Sequence, residues 1–94
     1  MSNVVFSAMD ARQRVAINLR LLRVARKISQ DDLALSAEIE RSYVGHLERG
    51  RKNPTVATLE KIASALSCDI SDIFAPLDDD MVQVKPLKSG RRPD

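Results

Sequence analysis

Residues 29–51 have the pattern of two short helices joined by a tight turn, and this segment constrains the fold more than any other part of the chain. The second of these helices would bury Val44 and Leu47 on one face. Its opposite face is polar and carries Arg41, Ser42, His46 and Arg49. Almost nothing else in the chain has the residue types to carry a function, so this polar face is the candidate functional surface.

The length and composition of the chain indicate one small soluble domain. Its 94 residues are 44% hydrophobic and 30% charged, which is typical of an ordered globular protein with a modest core. Aromatic residues make up only 3%, so the core must be aliphatic. No apolar run approaches the length of a membrane span, and the N-terminus lacks the apolar region of a signal peptide. We therefore expect a cytoplasmic protein with no membrane partner.

The net charge is only +2, but basic and acidic residues lie in different parts of the chain. Basic residues without acidic neighbours occupy the first third, at Arg12, Arg14, Arg20, Arg23, Arg26 and Lys27. Further basic residues follow at Arg41, Arg49, Arg51 and Lys52, and aspartates gather downstream at Asp69, Asp72, Asp78, Asp79 and Asp80. A basic surface opposite an acidic one suits a phosphate-bearing partner. Charge runs are more often solvated helix faces, the interpretation that we favour for Arg12 and Arg14.

Helical periodicity extends to both sides of the central segment, and no strand-period segment competes with it. The pattern predicts a first helix over about residues 11–26 and a third over about residues 41–49. Ser29 and Asp32 form a capping-box pattern at the start of the second helix. Gly50 is expected to end the third helix, Thr55 and Asp69 to begin the fourth and fifth, and Pro76 to stop the fifth. The predicted fold class is therefore all-α, a compact five-helix domain over residues 11–75.

The segments outside this domain have weaker patterns. Residues 1–10 are expected to be an N-terminal extension, and residues 76–94 a polar, mobile C-terminal tail. The aspartates at positions 78–80 could attract a divalent ion, but adjacent aspartates in a flexible tail are usually just solvated. Residues 81–84 could add a short strand only if another segment supplied an edge.

The residue inventory argues against an enzyme. The chain has one His and one Cys, with no glycine-rich phosphate loop and no clustered metal ligands. We therefore expect no catalytic residues, no metal site and no cofactor. A single cysteine also excludes an intramolecular disulfide, and Cys68 is expected to be a small core residue.

Several short motifs, in the order of the chain, resemble the phage-repressor and Cro-like (XRE-type) helix-turn-helix family. They are Leu19-Arg20-x-Leu22-Arg23-x-x-Arg26, Ser29-Gln30-x-x-Leu33-Ala34, Arg41-Ser42-Tyr43-Val44, Leu47-Glu48-Arg49-Gly50, Pro54-Thr55, Leu59-x-x-Ile62-Ala63-x-Ala65-Leu66 and Ile73-Phe74. One such tetrapeptide would be weak evidence, whereas this many in order over about residues 13–75 is strong. The resemblance implies a lambda-repressor-like DNA-binding domain whose third helix enters the major groove.

The resemblance also implies roles for individual residues. Side chains that reach base edges are expected at Arg41, Ser42 and His46. Contacts with the sugar-phosphate backbone are expected from Gln30, Tyr43, Arg49, Lys52 and Asn53. Arg23 and Glu48 match a partly buried ion pair that holds the first helix against the third. Other interpretations stay open, since Arg41 could be solvated, His46 could touch a phosphate or nothing, and Tyr43 could pack against the second helix.

Two positions depart from the family pattern. The family usually places glycine where this chain has Lys27 and Glu38. A positive φ at such a site costs a non-glycine residue about 1–2 kcal/mol, so either the turns differ here or the domain tolerates the strain. Glu38 and Glu40 also place negative charge near the DNA-facing turn. We hypothesise that they lower non-specific DNA affinity, which a Glu40→Gln variant with unchanged non-specific binding would contradict.

A homodimer is expected, because one recognition helix reads too few base pairs. Two-fold dimers on a palindromic operator double the contacts, with half-sites about one helical turn (~34 Å) apart. The fifth helix and the residues after it are the candidate dimer surface, with contacts from Ile70, Ile73, Phe74 and Leu77.

The expected function is that of a sequence-specific transcriptional regulator acting on double-stranded DNA, as an autoregulator or repressor. A short chain without an appended sensor domain, together with the Glu48-Arg49-Gly50-x-x-Asn53-Pro54 pattern, resembles restriction–modification controller proteins. The alternative is an antitoxin that binds a toxin protein and represses its own operon. RNA polymerase is a further candidate partner.

Overall fold

In the computed structural model the described residues are 10–77, and they form five α-helices without a strand among them. The helices are α1 (Ala11–Ala25), α2 (Gln30–Ala37), α3 (Arg41–Glu48), α4 (Val56–Ala65) and α5 (Ile70–Ile73). The predicted all-α, five-helix fold is confirmed. The predictions about an N-terminal extension, the acidic run at 78–80 and a strand at 81–84 lie outside the described residues. None of the helices within residues 10–77 combines the length and apolarity needed to cross a membrane.

Four of the five helices begin with a side chain that caps their first turn. The capping residues are Asp10, Ser29, Thr55 and Asp69, so the three caps predicted from the sequence are confirmed. The Ser29 hydroxyl accepts from the Asp32 N–H at 2.9 Å, although the reciprocal bond of a full capping box is present only in α1 and α5. These bonds satisfy N–H groups that have no partner inside the helix. The exception is α3, where Glu40 makes no side-chain cap.

Helices α1 to α4 all end in a left-handed residue followed by a six-to-one backbone hydrogen bond. The left-handed residues are Lys27 (φ 58°), Glu38 (φ 60°), Gly50 (φ 74°) and Ser67 (φ 55°). The closing bonds run from the N–H groups of Ile28, Ile39, Arg51 and Cys68 to the carbonyls of Arg23, Ala34, His46 and Ala63, at 3.0–3.1 Å. The domain therefore keeps the family's turns and tolerates their strain at three non-glycine positions, of which Ser67 was not anticipated.

The core is aliphatic and draws on every helix. α2 packs against α3 and α4, while α1 packs against α3 and α5. Its buried members are Val15, Leu19, Leu33, Ala34, Ala37, Val44, Leu47, Leu59, Ile62, Ala63, Leu66 and Ile73. Cys68 is half-buried against this cluster, as expected for a small core residue, and burial raises the pKa of its thiol. The inward face predicted for α3 is thus confirmed.

A buried asparagine fixes the end of α5 against α1. The Asn18 amide donates to the carbonyl oxygens of Ile73 and Ala75, both at 2.9 Å. Ile73 itself is completely buried, so it has no surface to offer a second chain, and its predicted place in a dimer contact is corrected here. Of the other candidates Phe74 is exposed, whereas Ile70 and Leu77 are half-buried.

Candidate nucleic-acid interface

Helix α3 lies with one face in the core and the other at the surface. Val44 and Leu47 are buried, and this anchors the helix against α1 and α2. The predicted base-reading residues lie on the outer side, with Arg41 and Ser42 exposed and His46 half-buried. Because these side chains project from the first two turns of a short, well-anchored helix, they form the surface that a DNA groove could receive.

Arg41 is held by an acidic residue of the preceding helix. Its Nε lies 2.7 Å from Oδ1 of Asp31, and both side chains remain more than half exposed. An ion pair in this setting contributes about 0–1 kcal/mol, so the arginine stays available for other partners. The sequence does not predict this contact, because nothing local links Asp31 to a residue ten positions away.

Gly45 is buried and forms a notch beneath two arginines of α3. A Cβ placed on Gly45 would lie 3.4 Å from Nη1 of Arg41 and 3.4 Å from Nη1 of Arg49. The two guanidinium groups therefore converge over this one bare position, no farther apart than twice that distance. The signal was present in the sequence as a spacing of four residues on one helix face, but the role of the glycine was missed.

The second arginine of this pair also contacts His46. Nη2 of Arg49 lies 3.3 Å from Nδ1 of the imidazole. The guanidinium and the imidazole therefore share one part of the surface at the end of α3. Arg49, predicted to touch the DNA backbone, is exposed and so remains accessible for that role.

The remaining predicted backbone contacts lie around α3. The Lys52 ammonium stands 5.9 Å from the centroid of the Tyr43 ring, within the range of a cation–π interaction. Tyr43 is half-buried and packs against the core, so packing is one role of this residue. Part of its side chain still faces outward. Asn53 is exposed in the loop that follows α3.

Glu48 is the centre of a partly buried network that fixes the orientation of α3. It accepts from Arg23 Nε at 2.6 Å and Nη2 at 3.0 Å, and from Gln30 Nε2 at 2.9 Å. Nη1 of Arg23 also donates to the carbonyl of Ile28 at 2.8 Å. The predicted Arg23–Glu48 ion pair is confirmed. Gln30, expected at a phosphate, uses one amide hydrogen here and keeps its carbonyl oxygen and second hydrogen for other contacts.

Metal ligands are not clustered in this region. Within residues 10–77, no group of three or more His, Cys, Asp or Glu side chains is arranged to hold a metal ion. The chemistry that this surface offers is hydrogen-bond donation and positive charge.

Several known proteins are similar to this chain in sequence or in structure. Residues 19–73 match the helix-turn-helix family HTH_3. The chain is 35% identical over 71 residues to the uncharacterized HTH-type transcriptional regulator y4dJ of Sinorhizobium fredii, covering 76% of this chain and 92% of the relative. It is 36% identical over 66 residues to the control protein C.SmaI of Serratia marcescens, covering 70% and 79%. The crystal structure of the restriction-modification controller protein C.AhdI from Aeromonas hydrophila has a TM-score of 0.66 at 36% identity, covering 67% and 96%.

The family match includes every element that builds the candidate surface. It begins at Leu19 within α1, includes all of α2 and α3, and ends with the last residue of α5. The similarity to C.AhdI extends to the arrangement of these helices in space. On sequence and on structure, the chain belongs to the helix-turn-helix family.

Proposed function

We propose that this chain is a sequence-specific transcriptional regulator that binds double-stranded DNA as a homodimer on a palindromic operator. We further propose that it acts as an autoregulator or repressor of the restriction–modification controller type. The observation that carries the proposal is the pair of exposed arginines, Arg41 and Arg49, whose guanidinium groups converge over the buried Gly45 of α3. Similarity to C.SmaI and C.AhdI supports the controller assignment.

The mechanism begins with α3 in the major groove. Arg41 can donate two hydrogen bonds to O6 and N7 of a guanine, which contributes about 1–3 kcal/mol of discrimination against other bases. Ser42 can donate or accept, so it adapts to its neighbour. His46 would read a base edge from the next turn of the helix, where its ring is only half-exposed.

Contacts with the DNA backbone would position this helix without reading sequence. Their residues lie around α3, at the start of α2 and in the loop after α3, and they are Gln30, Tyr43, Arg49, Lys52 and Asn53. Such contacts give affinity that depends strongly on salt, because each one releases counterions from the DNA.

The network around Glu48 supplies the rigidity that base reading requires. Arg23 from α1 and Gln30 from α2 both bond to this carboxylate at the end of α3. A recognition helix fixed on two sides presents its side chains at a defined angle, and this reduces the ordering that binding would otherwise require.

A second copy of the chain would double the recognition surface. Phe74 is the most exposed of the dimer candidates, with Ile70 and Leu77 beside it in the sequence. Regulation would then depend on protein concentration and cooperative operator binding. No feature of residues 10–77 favours the antitoxin alternative over the regulator, and RNA polymerase or a toxin as partner rests on the family resemblance alone.

Selection from random duplexes, followed by a salt titration, tests this function. We expect one palindromic sequence to be enriched, with the logarithm of the binding constant falling linearly with the logarithm of salt concentration. An Arg41→Ala variant serves as the control for base reading. No enriched palindrome, together with binding that ignores salt, would refute the proposal.

A further inference from the structure

The Arg41–Asp31 ion pair joins the two helices on the surface that would face DNA. Asp31 is the second residue of α2 and Arg41 is the first residue of α3. The carboxylate reaches the arginine through Nε, at 2.7 Å. The pair therefore spans the turn between the helices, and it restrains a side chain that is otherwise more than half exposed.

The geometry of this pair leaves the far edge of the guanidinium open. With the carboxylate beside Nε, the hydrogens on Nη1 and Nη2 are left for a bidentate bond to guanine. Nη1 also lies directly over the Gly45 notch. The carboxylate at Nε is thus the contact that restrains this side chain, while Nη1 lies next to the position where Gly45 has no side chain.

An arginine held in this way differs from a free one in two respects. A free arginine can swing to phosphates, which occur at every position of any duplex, and so adds affinity without adding specificity. A restrained arginine loses less rotamer entropy when it meets a guanine, because much of that entropy is already lost in the unbound protein.

We propose that Asp31 is a specificity-determining positioning residue, which holds Arg41 ready for one guanine and keeps it from the phosphates. The inference rests on the proposed function, since it assumes that Arg41 reads a base. By charge alone, an acidic side chain on a DNA-facing surface would only repel the phosphates. Asp31 instead favours recognition, because it positions Arg41.

The adjacent residue provides a matched control. Asp32 carries the same charge in the same first turn of α2 and is also exposed. It makes no ion pair within the described part of the chain. Asp31→Asn and Asp32→Asn therefore remove equal charge at neighbouring positions, and only the first also releases Arg41. Circular dichroism and thermal unfolding of both variants would show that each still folds.

The test measures affinity of each variant for the selected operator and for a scrambled duplex of the same length. Asp32→Asn should tighten both complexes by a similar factor, leaving their ratio unchanged. Asp31→Asn should lower the ratio by roughly two- to thirty-fold in a dimer that carries the pair twice, the range expected for exposed ion pairs. Repeated selection with Asp31→Asn should relax the preference at one base pair per half-site, and Asp31→Glu should restore it.

The outcomes separate this inference from the proposed function. If the unsubstituted protein prefers no sequence, both fail. If it selects a palindrome but the two variants give the same ratio, only the positioning role of Asp31 is overturned. A ratio that rises in Asp31→Asn would also overturn it, because Asp31 would then be competing with the guanine. In an Arg41→Ala background, Asp31→Asn should behave like Asp32→Asn.

Discussion

Arg23 and Glu48 form a bidentate ion pair that links α1 to the end of α3. The two contacts measure 2.6 and 3.0 Å, and the side chains are only 12% and 2% exposed. A carboxylate buried to this degree needs partners for its charge, and Gln30 donates a third hydrogen bond to it at 2.9 Å. The orientation of α3, the proposed recognition helix, thus depends on Glu48, which lies outside the surface that would face the DNA groove.

Replacing Glu48 by alanine should destabilise the domain strongly. Arg23 would be left as a buried charge without its partner, and loss of one member of such a pair costs about 3–5 kcal/mol. Urea unfolding followed by circular dichroism measures the change. Arg12→Ala is the control, because its contact to Asp10 is long (3.8 Å) and exposed, and its removal should alter stability by less than about 0.5 kcal/mol. Equal losses for both variants would contradict the buried network.

Glycine at the strained helix ends should stabilise the domain. Glu38→Gly and Ser67→Gly each remove a side chain from a left-handed residue, and we expect each to raise the free energy of unfolding by about 0.5–1 kcal/mol. Gly50→Ala should do the reverse. Denaturant unfolding measures all three. Only Glu38→Gly also removes a charge near α3, so stronger non-specific DNA binding in that variant alone would support the predicted effect of Glu38. Destabilisation by Ser67→Gly would contradict the strain argument.

Alanine at Gly45 should separate stability from binding. Within a helix alanine is favoured over glycine by about 0.5–1 kcal/mol, so Gly45→Ala should unfold at higher urea concentration. Its methyl group would lie 3.4 Å from both arginine Nη1 atoms, which is ordinary van der Waals contact, so the guanidinium groups can keep their positions. Operator affinity should therefore stay within about twofold while stability rises. A large loss of operator affinity in Gly45→Ala would contradict this prediction.

The Cys68 thiol should react slowly in the folded protein. Burial is the main cause that raises its pKa, so less thiolate is present near pH 8 than in an unfolded chain. Because the folded-state pKa is the higher one, the associated stability is present below the unfolded value and is lost as the pH rises through the folded value. Alkylation with iodoacetamide, with and without urea, measures this at the single cysteine. Equal rates in both conditions would contradict a burial effect.

The sequence predicted those parts of the structure that depend on local signals. Caps such as Thr55 and the inward residues of α3 follow from short-range hydrogen bonding and from helical periodicity. The burial of Ile73 could not be predicted from local signals, because an apolar residue in a four-residue helix suits a core and a dimer surface equally well. The polar turn residue Ser67 likewise carries no sequence signal of its left-handed conformation.

The functional surface was predictable by residue but not by arrangement. Family motifs placed Arg41 and Arg49 on the outer face of α3, and the structure has them there. The contact of Arg41 with Asp31 depends on how α2 and α3 cross, which no pattern within either helix determines. The arrangement at Gly45 was equally unpredictable, because it depends on where the side chains of Arg41 and Arg49 lie above it.

A base-by-base affinity scan of the selected operator, with the unsubstituted protein and with Arg41→Ala, tests whether α3 reads DNA through this arginine. The unsubstituted protein should lose about 1–3 kcal/mol when one particular guanine in each half-site is replaced. Arg41→Ala should bind all four bases at that position equally, while its preferences elsewhere stay the same. If Arg41→Ala keeps the same discrimination at every position, then α3 does not read DNA through Arg41 and the account is wrong.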